Sequence, residues 1–133
     1  MRRTLVISLV FVLGIVAVLI YVGCSLRTAN YTEADSGKTI EASVGQQFTI
    51  TLRGNATTGY VWQMAKGTDS KVVKKISDKY TADNTGRVGS GGDHVWSYKA
   101  IAAGETTITL NYLRTWDKPV APANTLKYKI KVQ

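Results

Sequence analysis

The C-terminal stretch constrains this chain more than any other. Leu126, Tyr128, Ile130 and Val132 alternate with Lys127, Lys129 and Lys131. Successive side chains of a strand point to opposite faces, so this segment has one apolar and one fully cationic face. The same period recurs upstream. Phe48, Ile50 and Leu52 alternate with Thr49 and Thr51; Trp96, Tyr98 and Ala100 alternate with Val95, Ser97 and Lys99; Ile108, Leu110 and Tyr112 share one face of Thr106–Arg114.

Turn residues separate these runs. Gly54-Asn55 ends one strand, and Thr57-Thr58-Gly59 leads into another at Tyr60-Val61-Trp62. Val72, Val73 and Ile76 lie among lysines and predict a weaker strand, or an irregular strand pair, reaching Tyr80. Thr85 to Asp93 is glycine-rich and reads as a loop, and Ala103-Gly104 as a turn. No stretch after Cys24 has helical periodicity with caps. About seven short strands in roughly 100 residues predict an all-β, immunoglobulin-like antiparallel β-sandwich. Trp62 and Trp96 are core candidates, and neither an internal repeat nor a second domain is visible.

The first residues follow different rules. Arg2 and Arg3 precede an apolar run from Leu5 to Val22 broken only by Ser8 and Gly14, the pattern of a secretion signal. The run exceeds the roughly 7–15 residues of a usual signal core and approaches the roughly 18 that can span a bilayer, so length alone leaves an uncleaved anchor open as an alternative. The expected organisation is residues 1–24 as signal peptide or membrane anchor, 25–37 as a flexible tether, and 38–133 as the sandwich. The protein is then exported, periplasmic or at the cell surface. The single cysteine, Cys24, ends the apolar run behind Gly23. It excludes an intrachain disulfide and is a candidate for lipoprotein-type acylation, although Tyr21 is an unusual residue for that processing pattern. The other reading is an ordinary cysteine at the end of a signal segment. Membrane contact is expected only through this segment or a lipid on Cys24.

Charge leaves the partner open. The chain carries 17 basic and 9 acidic residues, net +8, and removing Arg2 and Arg3 leaves +6. A basic surface can face nucleic acid, but many of the lysines alternate along strands as a solvated sheet face, and export from the cytosol argues against that partner. Catalytic chemistry is poorly represented. His94 is the only histidine and the only thiol lies at Cys24, so a nucleophile with an adjacent base has little to draw on. No nucleophile elbow surrounds any serine. Paired His or Cys for zinc and calcium-ligand spacing are absent, and no cofactor or metal is expected.

Three segments carry unusual residues where a sandwich turns. Asn55-Ala56-Thr57-Thr58-Gly59-Tyr60 is small and uncharged within a lysine-rich domain. Such a loop can enter a narrow cleft without burying an unpaired charge; the alternative is a plain turn. Gly89-Ser90-Gly91-Gly92 allows close backbone approach to a partner; the alternative is a flexible hairpin connection. Arg114-Thr115-Trp116, followed by Asp117, Lys118 and Pro119, combines Trp and Arg as binding hot spots do; the alternative is a tryptophan folded over the sandwich edge. Counted from Lys38, these loops join strands two to three, four to five and six to seven, which puts all three at one end of a sandwich.

These motifs, in this order, resemble the chagasin family, the I42-type inhibitors of papain-like cysteine peptidases. That family carries Asn-Pro-Thr-Thr-Gly, Gly-x-Gly-Gly and Arg-Pro-Trp; this chain has Asn55 to Gly59, Gly89 to Gly92 and Arg114 to Trp116, and the likeness extends from about Lys38 to Gln133. Two prolines are replaced, by Ala56 and Thr115. Proline fixes φ and lowers the entropy cost of ordering a loop, so inhibitory strength is the property these changes put in question.

The resemblance implies a non-enzymatic, monomeric, reversible inhibitor of peptidases of the papain or cathepsin L type. It implies that Thr57-Thr58-Gly59 sits over the catalytic Cys and His, that the glycine loop lines the non-primed side, and that Trp116 stacks on the primed side. Arg114 either supports its loop or reaches a carboxylate. The rival reading is an exported immunoglobulin-like adhesion module of the cell envelope, which shares the fold but does not account for three motifs together.

Overall fold

The alternating runs do what their period requires. In the computed structural model, which describes residues 28–87, 89–116 and 121–133, Leu126, Tyr128, Ile130 and Val132 are buried while Lys127, Lys129 and Lys131 are exposed. Eight strands are present among the described residues: β1 (Ala29–Tyr31), β2 (Thr39–Ala42), β3 (Gln47–Gly54), β4 (Tyr60–Met64), β5 (Val73–Ala82), β6 (Gly92–Ala100), β7 (Gly104–Arg114) and β8 (Asn124–Val132). They form two four-stranded sheets, ordered β1-β3-β6-β5 and β2-β8-β7-β4. The predicted all-β sandwich is therefore present, with the inner faces of both sheets as its core.

Phe48, Ile50 and Leu52 of β3 meet Trp96 and Tyr98 of β6 from one side, and Ile108, Leu110, Tyr128 and Ile130 close the core from the other. Phe48 stacks on Tyr98 at 5.4 Å between ring centroids, and Tyr31 meets Phe48 edge-on at 6.1 Å. Such aromatic geometry adds to the area buried. Trp62 and Trp96 are both core residues, as predicted.

Three features differ from the expectation. Ala29–Tyr31 lies inside the stretch expected to be a tether, yet it pairs in parallel with β3, Ala29 opposite Phe48. Asn30 Oδ1 accepts hydrogen bonds from the hydroxyls of Thr49 and Thr51, and Tyr128 Oη donates to the Thr32 carbonyl at 2.9 Å. Ordered structure thus begins before Lys38. β2 also pairs in parallel, with β8, so the sandwich is not purely antiparallel. The chain changes sheets between β1 and β2 through a short 3-10 turn, Glu33–Asp35, adding one outer strand to each sheet. Finally, the weakly signalled strand is real and long. β5 runs along the edge of its sheet with a bulge between Lys75 and Ser77, which leaves Ile76 49% exposed. Only Val73 of β5 is buried, and a strand with so little core contact has little hydrophobic alternation to show. Cys24 and the apolar segment before it lie outside the described residues.

Tyr128 ties this N-terminal segment to the core. Burial, with the nearby Asp35 and Glu33 carboxylates, pushes its phenol up to about 12. A folded pKa raised above the unfolded value of about 10 contributes stability below pH ~10 that is lost as pH rises through about 12. Tyr128→Phe is expected to cost about 1 kcal/mol at neutral pH through loss of the bond to Thr32. It should also flatten part of the alkaline decline, to which Tyr98 and Tyr31 contribute as well, since burial raises both of their phenols. Urea titrations between pH 7 and 11.5 check both.

Candidate functional site

The three predicted loops meet at one end of the sandwich. The first joins β3 to β4, the second β5 to β6, and the third β7 to β8. Strand register decides which residues stand at their roots. Gly54 is opposite Gly92, Arg53 opposite Asp93, and Tyr60 opposite Arg114.

Asn55 organises the first loop. It caps a 3-10 turn, Ala56–Thr58, its Oδ1 accepting from the Thr57 N–H at 3.1 Å and from the Thr57 hydroxyl. The Thr58 hydroxyl donates to the Asn55 carbonyl at 2.7 Å. The Asn55 amide then reaches across, its Nδ2 donating to the Gly89 carbonyl at 2.7 Å. One side chain orders its own turn and links it to the second loop. Ala56, Thr57 and Thr58 remain exposed. Gly59 closes the turn at φ 83°, in the left-handed region. A Cβ on Gly59 would lie 3.0 Å from Trp116 Nε1, so the indole of the third loop rests where a side chain would project.

In the second loop the glycines divide. Gly89 is exposed and Ser90 half-buried, but Gly91 and Gly92 are buried. At Gly91, φ is 85° and a Cβ would come within 2.8 Å of the Gly54 carbonyl oxygen. The close approach its glycine permits is therefore to the root of the first loop. The predicted approach to a partner is left to the Gly89-Ser90 end.

In the third loop, Trp116 is 69% exposed, so the indole is not buried over the sandwich edge. The Arg114 guanidinium lies 4.5 Å from the Tyr60 ring centroid and 5.4 Å from that of Trp116. It is held between two aromatic rings. Thr115 is exposed, and Asp117, Lys118 and Pro119 lie outside the described residues.

Several residues the motifs did not reveal support these loops. Tyr112 Oη accepts from the Asn55 N–H at 3.2 Å, and its ring packs against Tyr60 and Trp62 at 5.3 and 4.9 Å. Trp62 Nε1 donates to the Arg53 carbonyl at 2.9 Å. Behind the first loop, a cavity of about 160 Å³ is walled chiefly by Tyr60, Trp62, Tyr80, His94 and Tyr112. Arg53 pairs with Asp83 and Asp93 at the roots of the second loop. Opposite charges directly beside Gly54 and Gly92 were the available sequence signal.

His94 lies flat on Trp96, ring centroids 3.8 Å apart, with Nε2 against Asp78 Oδ1. Burial works to raise the Asp78 carboxyl, but the hydrogen bonds from His94 and Lys75 and their charges outweigh it and hold the group below its usual value. The chain's histidine is thus part of the packing beside the cavity. Among the described residues, no three His, Cys, Asp or Glu side chains gather as a metal site.

A β-sandwich that collects an uncharged loop, a glycine loop and an exposed tryptophan at one end defines a loop-presenting protein-binding module. The chain belongs to the chagasin family of peptidase inhibitors, I42, whose sequence model matches residues 41–132. It is 31% identical over 91 residues to chagasin of Trypanosoma cruzi, covering 66% of this chain and 83% of that protein. Amoebiasin-2 of Entamoeba histolytica is 30% identical over 102 residues, covering 77% and 83%. The crystal structure of the cysteine protease inhibitor EhICP2 from Entamoeba histolytica superposes with a TM-score of 0.69 at 25% identity, covering 80% of this chain and 95% of that one. The family consists of inhibitors, not enzymes.

Two substitutions probe loop order. Ala56 opens a 3-10 turn after an extended Asn55, the helix-start position where proline's fixed φ fits and its missing N–H costs little. Ala56→Pro is expected to stabilise the protein by about 0.5 kcal/mol. Gly59→Ala is expected to cost about 1–2 kcal/mol and to displace Trp116, read as a lower thermal midpoint with red-shifted tryptophan emission.

Proposed function

We propose that this protein is a reversible, competitive inhibitor of papain-like cysteine peptidases, of the papain or cathepsin L type, acting by occlusion of the active-site cleft. The observation that carries the reading is the mutual contact of the three loops: Asn55 bonded to Gly89, and Trp116 lying on Gly59. A cleft that accepts one loop must meet the others at fixed spacing.

In this mechanism the exposed Thr57-Thr58 turn covers the catalytic Cys and His. Its chain is bent into a 3-10 turn and offers no extended peptide carbonyl for attack. Gly89 and Ser90 contribute the backbone contact on the non-primed side. Trp116 stacks on the primed side, with Arg114 behind it. The side-chain bonds of Asn55 and Thr58, together with the Tyr60–Arg114–Trp116 stack, order loops that lack the family's prolines and so reduce the entropy lost on binding.

The reading includes export. Arg2, Arg3 and the Leu5–Val22 run act as a signal or anchor, and Cys24 is the candidate acyl acceptor, giving a periplasmic or cell-surface inhibitor. Mass spectrometry of the native N-terminus tests this: an acylated Cys24 supports lipid anchoring, and an unmodified downstream N-terminus removes it.

Full-length protein in mild detergent is expected to inhibit papain competitively at submicromolar concentration and to remain uncleaved. Trp116→Ala should weaken inhibition by about 2 kcal/mol, roughly 30-fold, with the circular dichroism spectrum unchanged. Papain left fully active at micromolar protein would sink the reading.

A further inference from the structure

Arg53 stands on β3 immediately before the first loop, and both of its partners stand at the neck of the second. Its Nη1 and Nη2 donate to Asp83 Oδ1 and Oδ2 at 2.9 and 2.6 Å, a two-pronged pairing that fixes orientation as well as distance. Nη1 also donates to Asp93 Oδ1 at 3.0 Å. Asp83 follows the last residue of β5, and Asp93 is the second residue of β6. The Asp83 N–H donates to the Gly91 carbonyl at 2.9 Å, closing the neck between them. One guanidinium thereby holds the end of β3 against both strands that carry the glycine loop.

Beyond the neck, the loop has few anchors of its own among the described residues. The Arg87 N–H reaches the Thr85 hydroxyl and the Ser90 hydroxyl reaches the Arg87 carbonyl, both at 3.3 Å. Among the described residues, its bond to the first loop is that from Asn55 to Gly89. That bond can form only if the neck sets Gly89 at the right height.

We propose that Arg53, with Asp83 and Asp93, is a positioning residue that locks the first and second loops into one binding unit, so that this chain's inhibitory strength depends on an ionic clamp outside its three loop motifs. The proposal rests on the inhibitor reading and extends it to residues that need not touch the peptidase. Consistent with the pairing, the Asp83 carboxyl is held below its ordinary value, chiefly by the hydrogen bond from Arg53, which outweighs the opposing effect of burial, with the guanidinium charge adding a smaller contribution. The Arg53 side chain is 58% exposed, so salt screens the clamp. Where only a fraction of molecules have the loop in place, the apparent affinity falls by that fraction.

The test uses full-length protein in mild detergent, with two readouts: amide hydrogen exchange over residues 84–90, and the association rate with papain. Arg53→Met is expected to speed exchange in that segment and to slow association about 3- to 10-fold at low salt. The gap from the unmodified protein should close to within about 2-fold near 1 M salt, where the Debye length is ~3 Å. Arg53→Lys should recover part of the rate, since it restores the charge without the planar fork. Unchanged exchange and an unchanged rate in Arg53→Met would overturn the proposal, as would a defect independent of salt. If Arg53→Met loses its fold, Asp83→Asn carries the same test with a neutral side chain of equal shape. If the unmodified protein does not inhibit papain, the inhibitor reading fails, while the exchange measurement still decides whether the clamp orders the loop.

Discussion

Register is the constraint on which everything else in this molecule hangs. Lys127, Lys129 and Lys131 stay in water only while Leu126, Tyr128, Ile130 and Val132 point into the core. A slip of one residue would exchange the two sets, since side chains alternate strictly along a strand, and burying unpaired ammonium groups is prohibitive. The same argument holds β3 against β6 through Phe48, Ile50 and Leu52. Once register is set, so are the pairs at the strand ends: Arg53 with Asp93, Gly54 with Gly92, Tyr60 with Arg114. The loop face is thus a consequence of core packing, with the chemistry of each loop root chosen by its cross-strand partner.

Those roots explain how the loops can be ordered without the two prolines that Ala56 and Thr115 replace. Proline restricts the chain before any contact is made; the contacts here act only once the loops are near one another. Asn55 bonds to its own turn and to Gly89, Gly59 gives up a side chain to Trp116, and Arg114 fills the gap between two rings. Such a set is cooperative, because each contact presupposes the position of the next.

Most of the sandwich was legible in the sequence, and the reason is physical. β3, β6, β7 and β8 are covered on one face only, so burial writes a period of two into their residues. β5 sits at a sheet edge with one buried residue, Val73, and left only a weak trace. β1 could not be seen at all: at three residues, Ala29–Tyr31, it is too short for any period, and what holds it is the distant Thr49, Thr51 and Tyr128. The loops were legible as motifs, but the division of labour among the glycines was not. Sequence shows that Gly91 lacks a side chain; only the fold shows that the Gly54 carbonyl occupies the space. Arg53 and Asp83 escaped notice, and Tyr112 was legible only as part of a strand face, because their significance lies in pairing across strands far apart in the chain.

The strand directions carry one more consequence. β1 runs parallel to β3, with Ala29 beside Phe48, while the first loop follows the far end of β3 at Gly54. β8 leaves the third loop and ends at Val132 beside Ala42, so the start of β1 and the end of β8 both lie at the pole opposite the loops. The length of β3, eight residues at about 3.3 Å each, puts roughly 25 Å between the two poles. The chain thus enters β1 at one pole and presents its three loops at the other. The loop pole is left clear of both strand termini, as the head of a pin is clear of its point.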